Sequence, residues 1–364
     1  MEDCLKLTTY FGERDRTDAD RRVADRLVEL FSSAELATSV LLRGVGGYGL
    51  GHGMRSDQLL TLSEDLPVVA VAVDARARIE ALLPELLAMA NRGLITLERA
   101  RLVGGARGGA PPAPDALPAS LGESVKLTVY LGRQERTRTG RPAHLAVTEL
   151  LHACGVSGAT VLLGVDGTRR GVRHRARFFG ANAQVPLMVL SVAPLAQIAH
   201  VLPELDTLLE DPLLTLERVQ ICKRDGLRLS APAPLAGEDA EGLALFQKLT
   251  VHSSESARHG GQPLHRAIVT ALRAERIAGA TSLRGIWGFH GDHPPHGDRL
   301  LQVHRHTPVM TIVVDTPERV ARAFAIVDAL TAQNGLVTAE TVPAARAASA
   351  EHTRGGVRLG RPPR

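Results

Sequence analysis

The chain repeats itself three times, and this constrains its fold more than any other feature. Lys6-Leu7-Thr8-Thr9-Tyr10 returns as Lys126-Leu127-Thr128-Val129-Tyr130 and again as Lys248-Leu249-Thr250-Val251-His252, spaced by 120 and then 122 residues. Pro67, Pro186 and Pro308 keep nearly the same spacing, as do Thr96-Leu97-Glu98, Thr215-Leu216-Glu217 and Thr338-Ala339-Glu340. Landmarks in one order and one register define three copies, over 1–103, 124–222 and 246–342. The stretches 104–123 and 223–245 are rich in Pro, Gly, Ala and small polar residues and read as linkers. The same composition, with five arginines and a single acid, Glu351, makes 343–364 an expected disordered basic tail.

Each copy reads as strand, helix, strand, loop, strand, helix, strand. In the first helix Val23, Leu27 and Leu30 recur at helical spacing, with Thr17 and Asp20 as an expected capping box. Pro142 and Pro263 fall where a first-turn proline is tolerated. In the second helix Ile79, Leu82, Leu83 and Leu86 share a face, echoed by Ile198, Val201, Leu202 and Leu205. This β-α-β-β-α-β order is the ferredoxin-like split unit, an α+β fold. Two helices cover only one face of a four-stranded sheet, yet Val68–Val73 is apolar at every position. So are Leu187–Leu190 and, apart from Thr311, Val309–Val314. A strand with one wet face alternates, whereas unbroken apolarity implies burial on both sides. The three sheets are therefore expected to face one another around a pseudo-threefold axis, an intramolecular pseudo-trimer that leaves the chain monomeric.

Bulk composition narrows the function. Hydrophobic residues make up 44% and aromatics only 3%, so the cores rest on Leu, Val, Ile and Ala. The net charge is +4, although the pI is near 9.2. With one Trp and three Tyr the chain lacks the stacking platforms of a nucleic-acid binder. Cys4, Cys154 and Cys222 have no metal-site spacing and are expected to be reduced thiols. Met1–Tyr10 has no signal-peptide apolar region and no stretch is long enough to span a bilayer, so a cytoplasmic location is expected.

The Lys-Leu-Thr-x-Tyr opening, Gly158-Ala159-Thr160 and Gly279-Ala280-Thr281 before the second strand, and Leu62-Ser63-Glu64-Asp65-Leu66-Pro67-Val68-Val69 carry a resemblance. They look like the PII-like family known as domain of unknown function 190, similar in turn to PII signalling proteins, which are trimers of ferredoxin-like units. The resemblance implies a signalling or regulatory protein that binds a small anionic ligand, an adenine nucleotide among the candidates, in clefts between copies. It also implies glycine-rich loops presented to a partner protein. The family's loop motif is intact as Gly44-Val45-Gly46-Gly47-Tyr48-Gly49. Copy 3 keeps Gly285-Ile286-Trp287-Gly288-Phe289 with His290 in place of the last glycine, and copy 2 keeps only Gly164-Val165-Asp166-Gly167. The family's basic position falls on Arg55, His174 and His296. Three equivalent working clefts are therefore not expected.

These loops can wrap an anion with backbone N–H groups or serve as plain hairpin connections. They open no helix, so the Rossmann and Walker readings do not apply. Lys6, Lys126 and Lys248 are candidate charge partners for the ligand, or else strand-end surface lysines. Arg169, Arg170, Arg173, His174, Arg175 and Arg177 could hold an anion or form a solvated run. A metal-binding module, similar to ferredoxin-like copper-tolerance proteins, is the alternative reading. It would centre on His290, Asp292, His293, His296 and Asp298, with His304 and His306 nearby, although Pro294 and Pro295 spoil the spacing. A ligand-free scaffold is the third. Asp74 and Asp315 read as caps of the second helix, with Ala193 in the corresponding place in copy 2. No Ser-His-Asp or Cys-His set recurs, and the expectation is that the protein is not an enzyme, with no cofactor.

Overall fold

In a computed structural model the chain is described at residues 1–49, 53–56, 65–89, 93–105, 117–176, 184–238, 242–290, 295–297, 307–331, 335–348 and 353–359. Copy 1 runs β1 (Glu2–Gly12), α1 (Val23–Ser33), β2 (Thr38–Arg43), the short arms β3 (Gly46–Tyr48) and β4 (Arg55–Ser56), β5 (Pro67–Ala75), α2 (Arg76–Met89) and β6 (Gly93–Gly104). Copy 2 runs β7 (Ser124–Gly132), α3 (Ala143–Ala153), β8 (Gly158–Leu163), β9 (Asp166–Arg169), β10 (Val172–Arg173), β11 (Pro186–Pro194), α4 (Leu195–Leu208), β12 (Leu213–Arg224) and β13 (Leu227–Arg228). Copy 3 begins with β14 (Phe246–Ser254), the small hairpin β15 (Arg258–His259) and β16 (Gln262–Pro263), and α5 (Leu264–Ala274). It continues through β17 (Ala280–Arg284), β18 (Trp287–His290), β19 (His296–Gly297), β20 (Pro308–Asp315), α6 (Pro317–Leu330), β21 (Leu336–Val342), β22 (Ala344–Ala348) and β23 (Thr353–Gly356).

In every copy the four long strands lie in the order second, third, first, fourth, each antiparallel to its neighbours. The fourth strands then pair between copies. The end of β6 meets the start of β12, the end of β12 meets the start of β21, and β22 returns to the start of β6. The hairpin arms do the same on the other flank: β9 on β2, β18 on β8, and β3 on β17. Both sets of pairings close into a ring.

The doubly apolar strands explain why. Val68, Ala70 and Ala72 pack under α1 and α2, while Val69, Val71 and Val73 face a second core. That second core takes residues from all three copies, among them Leu42, Leu190, Met188, Ile312 and Val314. Each copy also has its own core beneath its helices. Burying both faces of such a strand is worth roughly 1.5–3 kcal/mol for each Val or Leu side chain taken from water.

Four local expectations are corrected. The Thr17–Asp20 capping box does not form: α1 starts at Val23 behind Arg22, which makes no side-chain cap, and the Thr17 amide donates to the Arg21 carbonyl. Pro142 and Pro263 sit at the N-cap, one residue outside the helix. The tail is not structureless over 344–348 and 353–359, because β22 supplies the strand that closes the ring and Val357 and Leu359 join the copy 1 core. The segment after 222 likewise begins as strand: β12 runs on to Arg224, and buried Lys223 pairs with Asp328 at 2.6 Å.

Candidate functional site

The glycine hairpins place the site. Gly44, Gly164 and Gly285 each donate an amide to the carbonyl of the recurrent proline, Pro67, Pro186 or Pro308, at 2.7, 2.9 and 2.7 Å. The next amide crosses to the neighbouring copy: Val45 to Ser282, Val165 to Leu41 and Ile286 to Val161, each at 2.8 Å. At Gly47, Gly167 and Gly288 the backbone lies so close to the next copy that a Cβ would run into the carbonyl oxygen of Ala280, Ser39 or Ala159. The glycines therefore serve first as inter-copy straps. Gly46 sits in the same arm, opposite Ser56.

Where the copy 1 strap meets copy 3, a cavity of about 540 Å³ remains. Tyr10, Gly12, Asp15, Tyr48, Gly49, Arg55 and Leu94 line it from copy 1, and Gly279, Thr281, Ile312 and Val314 from copy 3. Ala347 and Ala348 of β22 close one side. Its size suits a small organic ligand. Arg55 is the cation on its wall, paired with Asp65 at 2.9 Å. The guanidinium and that carboxylate lie over Gly12, whose missing side chain makes the room. Asp15 accepts the Gly12 amide at 2.7 Å. Burial pushes the Tyr10 and Tyr48 phenols up, so both stay neutral.

Of the expected site residues, Gly49 and Arg55 line this cleft. His174 and His296 occupy Arg55's place in the other hairpins, opposite Gly167 and Gly288, and burial with Arg169 lowers the pKa of His174. The three lysines are elsewhere. Lys6 lies 3.1 Å from Glu98, Lys126 from Glu217 and Lys248 from Glu340, each pair formed across two neighbouring strands of one copy. Each lysine also bonds a glutamate of another copy: Lys6 to Glu217, Lys126 to Glu340 and Lys248 to Glu98. All six are buried and alternate in charge around one closed ring. Lys6, Lys126 and Lys248 are thus corrected from ligand partners to members of this ring, because the glutamates already take up their charge. Burial works against the Lys6 ammonium, but Glu217 and Glu98 more than offset it and hold its pKa well above the ordinary range. Burial likewise opposes the Glu98 carboxylate, which Lys248 and Lys6 hold well below its usual value. The three carboxylates approach within 4.8 Å of one another, a spacing open to a cation in principle, but ammonium groups already stand between them.

The arginine run of copy 2 is neither free nor simply solvated. Arg169 pairs with Glu135, Arg170 with Asp211, and Arg173 with Asp166 at 2.5 Å and Asp25 of copy 1 at 2.8 Å. Arg175 reaches Asp25 at 3.1 Å, and Arg177 lies outside the described residues. Of the histidine-rich stretch, Asp292, His293, Asp298, His304 and His306 lie outside the described residues, and His290 Nε2 sits 2.7 Å from Asp225 Oδ1. His252, in the place of Tyr10 and Tyr130, is lowered to about 4 by burial and then by Lys126. Asp74 and Asp315, at the ends of β5 and β20, accept the amides of Ala37 and Ala278 ahead of the second strand, at 2.9 and 3.0 Å, and so tie the end of the third strand to the loop before the second. The three cysteines are free, and burial raises Cys222 to about 11.

Asp15, Gly279, Ile312 and Val314 were missed as cleft residues, since sequence order hides which copy faces which. Fold and site together define a three-copy α+β repeat protein with a ligand-sized cleft between its first and last copies. The chain belongs to the DUF190 family (Uncharacterized ACR), whose model matches residues 4–102, 124–221 and 246–344. Among the described residues no helix is long and apolar enough to cross a membrane.

Proposed function

We propose that this protein is a PII-like regulator, built as three ferredoxin-like units in an intramolecular pseudo-trimer, and that it has no catalytic activity of its own. It binds a small anionic ligand, an adenine nucleotide being the first candidate, in the cleft between copies 1 and 3. Ligand contact with the Gly44–Gly49 strap changes the surface it offers a partner protein. The observation that carries this is the cleft of about 540 Å³, bounded by the one intact glycine motif and by Arg55. The Arg55–Asp65 pair is partly exposed, with side chains 28% and 30% accessible, so it is worth no more than about 1 kcal/mol. An incoming phosphate or carboxylate can displace Asp65 at little cost and gain a bidentate guanidinium contact. The uneven loops and the absence of a repeated nucleophile–base set support binding over catalysis.

Thermal melting with AMP, ADP, ATP and common anionic metabolites tests the reading. A ligand at 100 times its dissociation constant adds about 2.7 kcal/mol to stability. Arg55→Ala should remove that shift. A panel in which no nucleotide or anion moves the melt overturns the proposal.

A further inference from the structure

The three hairpins carry the same backbone but end differently. Two residues beyond the strap glycine stand Gly49 in copy 1, Arg169 in copy 2 and His290 in copy 3. Pairing with the neighbouring copy reaches Arg169 and His290, opposite Thr38 and Gly158, but stops one residue short at Tyr48 in copy 1. The end residue of each longer hairpin is then paired, so that its side chain occupies a fixed place. Arg169 pairs with Glu135, which stands where copy 1 has Asp15. His290 bonds Asp225 at 2.7 Å. Asp225 is held by the Gly335 carbonyl, and the matching position beside Gly93 is Ala348. In the cleft between copies 1 and 3 both pairs are missing. Among the described residues a Cβ on Gly49 would meet nothing within 4 Å, so the position has room for a side chain.

We infer that the chain takes one ligand, in the copy 1–copy 3 cleft, because Gly49 and Ala348 leave that cleft open while Arg169–Glu135 and His290–Asp225 latch its two counterparts. This rests on the proposed function only in treating the cleft as a ligand site. The ligand has a flat, mainly apolar body for the wall of Tyr10, Leu94, Ile312 and Val314, and one anionic group for Arg55. Gly279 and Gly93 let such a ring lie against bare backbone. The two pairs differ in what they join: Arg169–Glu135 ties the hairpin end to the loop after the first strand of its own copy, whereas His290–Asp225 ties copy 3 to the residue that follows β12.

The probe is 1-anilinonaphthalene-8-sulfonate, a fluorescent aromatic anion of this description, titrated into the full-length chain. The expected result is one saturable site per chain. Two transplants should each weaken it at least 100-fold with the melting temperature retained: Gly49→Arg with Asp15→Glu, and Gly49→His with Ala348→Asp. The first installs the copy 2 latch and the second the copy 3 latch, so if one fails to fold the other decides. Arg169→Gly with Glu135→Ala should raise the count to two. Two or three dye sites in the unaltered chain, no saturable site, or full binding in a folded transplant overturns the inference. A panel in which no nucleotide or anionic metabolite moves the melt would sink the sensor reading and leave this dye count standing.

Discussion

At the residue scale, the ring of Lys6, Glu217, Lys126, Glu340, Lys248 and Glu98 is the most demanding feature of the molecule. Six full charges lie buried among apolar strands, and each is tolerable only because its neighbours on both sides carry the opposite sign. Such a ring adds little net stability, since desolvation consumes most of the attraction, but removing one member strands its partners. Glu98→Gln should therefore cost about 3–5 kcal/mol in urea unfolding, while replacing all six by Met and Leu should be neutral or stabilising. The pH dependence follows from the same shifts. The Glu98 carboxylate is depressed, so its contribution is present above the ordinary carboxylate range and disappears as pH falls through the lowered value. The Lys6 ammonium is raised, so its contribution is present below its ordinary pKa and disappears as pH rises through the raised one. Burial shifts the Lys126 ammonium the other way, down from its ordinary value, so the alkaline side carries opposed contributions, and the expected signature is on the acid side, where the limb should be shallower in Glu98→Gln. The charges were visible as recurrent Lys and Glu, and their partnership was not. Each lysine faces its own copy's glutamate across β1–β6, β7–β12 or β14–β21, and the second contact needs the neighbouring copy.

At the scale of elements, β22 shows what composition conceals. Ala344–Ala348 is a run of small residues with one arginine, and its propensity alone argues for no strand. It is ordered by what it meets. The start of β6 would otherwise be an unpaired edge, and β22 pairs it from Gly93 to Leu97. Arg346 reaches the Leu87 carbonyl at 3.3 Å, and Ala345 and Ala348 are buried. Ending the chain at Pro343 should expose that edge, open one wall of the ligand cleft and remove Val357 and Leu359 from the copy 1 core. A loss of several degrees in the melt and a new concentration-dependent species in size-exclusion chromatography are expected; an unchanged melt would show that β22 is incidental. By contrast the faces of α2 and α4 were legible, because local periodicity sets them: Ile79, Leu82 and Leu86 are buried with Leu83 half-buried beside them, and Ile198, Val201, Leu202 and Leu205 are all buried. Tertiary pairing decides the ends of elements, so the capping of α1 and the start of the tail were misread.

For the whole molecule, one apolar core shared by all three copies governs how the chain can come apart. Val69, Val71 and Val73 of copy 1 pack with Met188 and Leu190 of copy 2 and with Met310, Ile312 and Val314 of copy 3. The doubly apolar strands announced this arrangement in the sequence, since no helix within a copy could cover the second face. The difference between the hairpin ends was only half announced, in the decay of the glycine motif, because Arg169–Glu135 and His290–Asp225 pair residues far apart in sequence. Two consequences separate a closed single-chain ring from three loosely tethered domains. The full-length chain should run as a 38.8 kDa monomer and unfold in one cooperative transition, because no copy can leave without baring the shared core. Copy 1 alone, residues 1–105, should not persist as a monomer. It would expose that apolar face together with two sheet edges and an unmatched Lys6–Glu98 pair, so it must trimerise or aggregate. Three identical copies would still form the alternating charge ring, since each supplies one lysine and one glutamate, which favours the trimer. Analytical ultracentrifugation of the isolated copy decides: a stable folded monomer would mean that the copies are independent domains and that the shared core carries little of the stability.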